Sequence, residues 1–107
     1  MPSLSTRLSP LTRQDFKEVL KYTRGRWGAE QKEKYKNLLD ASINRIAEFP
    51  GLGKPLKGLP EGSLAYYAGR HVIVYQVRET HLEIIRILYD GMDIKRHFLD
   101  ESYLVKL

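Results

Sequence analysis

The chain has 107 residues, no cysteine and a net charge of +5. That length suits one domain, residues 1–107, with one modest core, and the missing cysteines exclude disulfides, thiol chemistry and Cys-based metal sites. No apolar run reaches the roughly 18 residues of a helical membrane span; Arg7 and Arg13 break any signal-like core, so a cytoplasmic protein is expected.

The charge is uneven. Residues 1–58 carry 12 Lys/Arg against 6 Asp/Glu, and residues 59–107 carry 6 against 7. A basic half can be an ordinary solvated helical surface, or it can attract nucleic acid, the ribosome or an acidic protein.

The alternation in residues 3–8 predicts a short first strand. A helix start follows, with Ser9 as cap and Pro10 in the first turn, or with Thr12 as cap and Asp15 three residues on. Phe16, Val19, Leu20, Thr23 and Trp27 recur at helical spacing, and Gly28 ends the run. A second helix is expected from Ala29 to Phe49, with Tyr35, Leu38, Leu39, Ser42, Ile43, Ile46 and Phe49 on one stripe. The short link at Gly28 predicts an antiparallel helical hairpin.

Residues 50–62 are dense in glycine and proline and read as a loop carrying Lys54 and Lys57. No GK[ST] phosphate-binding motif is present there. Strands are then expected at 63–68, 70–78 and 82–89, forming an antiparallel meander. The fold class is therefore α+β: an N-terminal strand, a helical hairpin on a small, mostly antiparallel sheet, order β-α-α-β-β-β, and a short C-terminal helix or tail.

Pairing Arg78 with Leu82 across a three-residue loop puts even-numbered residues of both strands on one face. The odd face, with Ile73, Tyr75, Ile85, Ile87 and Tyr89, should then pack on the helices, and the even face should stand half-open. Arg86 is the informative position. An arginine in an apolar strand needs a partner: either an ion pair with Asp90, Asp93 or Glu83, or an anion met on an exposed sheet. Just beyond, Asp93 and His97 are spaced i, i+4. Neither a nucleophile nor a third metal ligand completes them, and no cofactor or metal is implied.

Four segments, "SPLTRQDFKEVLKYTRGRWG", "RIAEFPGLGKPL", "GRHVIVYQV" and "LEIIRILYDGMDIKRHF", together resemble the ParE branch of the RelE/ParE toxin superfamily. The resemblance implies a toxin of a type II toxin–antitoxin module with the fold expected above. It implies inhibition of DNA gyrase without a reaction of its own, plasmid stabilisation, and neutralisation by an acidic ParD-like antitoxin. The superfamily's other branch, ribosome-dependent mRNA endoribonucleases of the RelE type, stays open as the alternative, with Lys54, Lys57, Arg70, Arg86 and Tyr89 as its candidate set. Target contacts are expected at Arg70, Arg86, Tyr89, Met92, Asp93, Arg96 and His97. Antitoxin contacts are expected at Leu64, Tyr66 and Tyr67, with Tyr22 and Trp27 nearby, although Tyr66 and Tyr67 also suit plain strand packing. The apolar tail 99–107 should meet a partner or add an edge strand.

Overall fold

The computed structural model describes residues 3–91. Met92, Asp93, Arg96, His97 and the tail 99–107 lie outside the described residues. The elements are β1 (Ser5–Leu8), α1 (Pro10–Trp27), α2 (Ala29–Glu48), a 3-10 turn at Pro50–Leu52, β2 (Ser63–Ala68), β3 (His71–Val77) and β4 (His81–Tyr89). They make one four-stranded sheet in the order β1-β4-β3-β2, with β1 parallel to β4 and the remaining pairs antiparallel. This is the expected α+β arrangement. Among the described residues, no helix is long and apolar enough to cross a membrane.

Local chemistry explains the boundaries. Ser9 caps α1: its backbone is extended and its Oγ accepts the Thr12 N–H, while Pro10 occupies the first turn. Gly28, at φ +95, turns the chain between the helices. Gly69 and Arg70 form the turn of the β2–β3 hairpin, where Gly69 has φ +58 and any Cβ would press on Leu38 and Tyr35.

The main core lies between helices and sheet: Leu39, Ile43 and Ile46 of α2 meet Ile73, Tyr75, Leu82, Ile84 and Ile87, with Phe16 and Val19 of α1 packed alongside. The predicted stripes are wider than the buried face, since Trp27 and Phe49 at their ends and Leu38 in the middle of α2 are exposed.

The face assignment needs correction in β4. The loop before it has two residues, because Arg78 N–H donates to His81 C=O and Val77 pairs with Leu82. That shifts parity by one, so Leu82 and Ile84 reach the helical core. A bulge then leaves Ile85 without a partner, and beyond it Val74 pairs with Arg86 and Ile73 with Ile87. The odd-face reading therefore holds for Ile73, Tyr75 and Ile87 and fails for Ile85, which packs on the opposite side.

The even face is not half-open either. Val72, Val74 and Leu88 are buried with Ala65 in a second cluster, against which Leu56 and Leu59 of the Gly/Pro loop are packed. That loop is a cover, not a phosphate cradle. It is tied down by Tyr75, whose hydroxyl accepts the Gly53 N–H and donates to the Pro50 carbonyl, and by paired backbone bonds between Lys54 and Ala65. A Cβ at Gly53 would collide with the Tyr75 ring, so the loop can close only on glycine.

Candidate functional site

The first turns of α1 run against β4 at the bulge. Ser9, Thr12 and Asp15, three residues apart, each bond the strand: Ser9 Oγ donates to the Ile85 carbonyl at 2.9 Å and Thr12 Oγ1 to the Ile84 carbonyl at 2.9 Å. Asp15 accepts the Ile87 N–H at 3.0 Å, Arg86 Nε at 2.7 Å and Arg86 Nη2 at 2.9 Å. β1 ends at Leu8, opposite Ile84, and the side chains of the first turns of α1 satisfy backbone groups of β4 from there on. Thr12 and Asp15, read from sequence as an alternative cap, serve the strand instead.

Arg86 is accordingly 9% exposed and sits in a forked ion pair with Asp15. The expectation of an open-face cation is corrected. The ion pair engages the aspartate in α1, 71 positions away, which is outside the expected set of Asp90, Asp93 and Glu83; Asp93 lies outside the described residues. Packing of α1 across β4 brings the two together, which no local spacing reveals.

Beside this pair an open groove of about 1050 Å³ runs between α1, α2 and the ends of β3 and β4. Its walls include Glu18, Val19, Tyr22, Trp27, Tyr35, Arg70, His71 and Tyr89. At one end Tyr35 of α2 shares a hydrogen bond with His71 Nδ1 and accepts the Arg70 N–H at 3.0 Å. His71 stacks edge-on against both Tyr35 and Tyr89, with ring centroids 5.4 and 6.0 Å apart. Burial, the largest cause, pushes the His71 imidazole below its ordinary pKa, while the charges of Asp90 and Asp15 act the other way. Burial likewise raises the Tyr35 hydroxyl. With a neutral ring accepting the Tyr35 proton on Nδ1, the ring's own N–H lies on Nε2.

The structure thus brings together Tyr22, Trp27, Arg70, Arg86 and Tyr89. Tyr89, expected on the packed face, is exposed. Leu64, Tyr66 and Tyr67 do not form one strip: Leu64 and Tyr66 pack on the helix-side core, whereas Tyr67 is exposed on the same face of β2 as Ala65. None of the three lines the groove with Tyr22 and Trp27. Among the described residues no group of three or more His, Asp and Glu could hold a metal.

The family model for the ParE toxin of the type II toxin–antitoxin system parDE matches residues 6–94. The chain belongs to the ParE toxin family. It is 38% identical to Toxin ParE1 of Caulobacter vibrioides over 91 residues, covering 85% of this chain and 94% of that protein. Toxin ParE1 of Mycobacterium tuberculosis is 32% identical over 91 residues, covering 84% and 93%. Among solved structures, the chromosomal ParDE system of P. aeruginosa aligns with a TM-score of 0.72 at 14% identity, over 81% of this chain and 96% of that one. A chain of the RelBE2 toxin–antitoxin complex of Mycobacterium tuberculosis aligns at 0.58 and 16% identity, over 82% and 99%. These two likenesses bear on the fold.

Proposed function

We propose that this chain is the toxin of a type II toxin–antitoxin module, that it inhibits DNA gyrase, and that a small acidic ParD-like antitoxin neutralises it. Family membership over residues 6–94 carries the reading, and the Caulobacter and mycobacterial relatives bear the same ParE1 name. The strand arginine supports it as well. A phosphodiester-cleaving site needs cations free to meet developing charge on phosphate, and the Arg86 guanidinium is held by Asp15. Target contact then falls to Arg70 and Tyr89 at the groove end, and to Met92, Asp93, Arg96 and His97, which follow Tyr89 in the sequence. An acidic antitoxin suits the basic balance of residues 1–58.

One observation favours the ribosome-dependent endoribonuclease. His71, Arg70 and Tyr89 meet at the groove end, and a neutral imidazole there has the chemistry of a base. Two assays on the purified protein separate the readings. Gyrase inhibition predicts lost supercoiling with intact message on translating ribosomes. Codon-dependent cuts in message with normal supercoiling would reverse the assignment.

A further inference from the structure

We infer that Tyr35 and His71 are positioning residues: they form a proton-sensitive latch that holds the β2–β3 turn and the end of β4 on α2, and so fix where Arg70 and Tyr89 stand. The part played by Arg70 and Tyr89 in target contact rests on the function proposed above; the latch rests on geometry. From α2, the Tyr35 hydroxyl oxygen accepts the Arg70 N–H of the turn and shares a hydrogen bond with His71 Nδ1 at the start of β3. The Arg70 carbonyl in turn accepts the Asp90 N–H at 2.9 Å, which joins the turn to the chain just past β4. Gly69 lies so near α2 that a Cβ there would press on Leu38 and Tyr35. His71 pairs with Tyr89 across the strands and meets its ring edge-on. Gly91 lies against the same ring, where a Cβ would collide. Arg70 and Tyr89 are thus exposed residues held from behind. Holding them in place before a partner arrives reduces the ordering cost of binding.

The chain of donors has a direction. With a neutral ring, Arg70 N–H donates to the Tyr35 oxygen, Tyr35 O–H donates to His71 Nδ1, and every group is matched. A proton on Nδ1 makes that nitrogen a donor. Two donors then point at the Tyr35 oxygen, and the Tyr35 O–H loses its acceptor. The charges around the ring are divided. Asp90, past β4, and Asp15 of α1 favour the proton, and Glu18 of α1 lines the same groove. Arg70 of the turn and Arg86 of β4 also line it and oppose a second cation. Asp15 is engaged by Arg86, and burial weighs against the imidazolium. The latch is therefore closed on a neutral ring and loosens as pH falls below 6.5.

The test joins a measurement on the protein alone to one on its target. The full-length chain is titrated by NMR between about pH 5.5 and about pH 7.5, where an imidazole changes charge, and is then assayed for inhibition of gyrase supercoiling. The Arg70 amide resonance should move together with the His71 ring resonances, and that amide should exchange faster with solvent at the acid end. Tyr35→Phe keeps the ring but not the hydroxyl. Its Arg70 amide should no longer follow His71, and inhibition should weaken about threefold or more. His71→Asn keeps an acceptor near the Nδ1 position and does not titrate. It should inhibit like the parent, with an Arg70 amide that stays constant over the same pH range. An Arg70 amide indifferent to the His71 titration overturns the inference, as does a folded Tyr35→Phe protein that inhibits as well as the parent. Equal losses in Tyr35→Phe and His71→Asn would mark a merely structural contact and overturn it too. A parent protein that leaves supercoiling untouched while its Arg70 amide follows His71 overturns the gyrase reading and supports the latch.

Discussion

Replacing Asp15 with alanine should destabilise the protein far more than its place on a surface helix suggests. The carboxylate accepts three bonds, two from the Arg86 fork and one from the Ile87 N–H, all in a buried setting. Removing it takes the Asp15 carboxylate away from a buried guanidinium and orphans the Ile87 N–H. Breaking a buried pair from one side costs about 3–5 kcal/mol, and an unmet buried amide adds to it. For a chain of this size each kcal/mol lowers the melting temperature by roughly 4–8 °C, so Asp15→Ala should melt at least about 12 °C below the parent. Asp15→Asn keeps shape and one acceptor but not the charge, and should fall between. Arg86→Lys, which lacks the planar fork, should also be destabilised. In a double-mutant cycle, Asp15→Ala combined with Arg86→Ala should lose less than the two single changes added together. Circular-dichroism melts measure all of these. An Asp15→Ala protein melting within about 2 °C of the parent would refute the reasoning.

Tyr75→Phe removes one oxygen yet leaves the Gly53 N–H and the Pro50 carbonyl without that partner; a loss of about 1–3 kcal/mol is expected in denaturant titrations. Leu59→Asp would place a charge against the second cluster and should open the loop, seen as faster proteolysis between residues 50 and 62. For pH, the His71 pKa is lowered on folding from 6.5, so the unfolded chain binds more protons below that value. The stability His71 contributes is complete above pH 6.5 and is lost as pH falls below it. The parent should therefore melt lower at pH 5.5 than at pH 7.5 by a margin that shrinks in His71→Gln, and equal margins would contradict it.

Element order, the Ser9 cap, the Gly28 break and β2 were legible because each rests on local chemistry: a side-chain cap, a positive-φ glycine, an alternating run. The faces of β4 were not. A two-residue loop and a bulge at Ile85 shift parity twice, and neither leaves a mark in the hydrophobic pattern, because Leu82, Ile84, Ile85, Ile87 and Leu88 are apolar whichever way they point. Arg86 signalled that a partner had to exist, but Asp15 could be found only once α1 crossed β4. The Tyr35–His71 contact escaped for the same reason, being long-range and built from residues that read as ordinary helix stripe and strand. Tyr22 and Trp27, expected near Leu64, Tyr66 and Tyr67, stand apart from them. They line a groove with Arg70 and Tyr89, far in sequence from the helix that carries them.

Gyrase inhibition is most directly tested by a supercoiling titration with purified gyrase and relaxed plasmid, run with and without the cognate antitoxin. Expected is a dose-dependent loss of supercoiled product at toxin levels comparable to gyrase, restored by prior addition of the antitoxin. Undiminished supercoiling by folded protein in large excess, from a preparation that still arrests growth when expressed without its antitoxin, would contradict it.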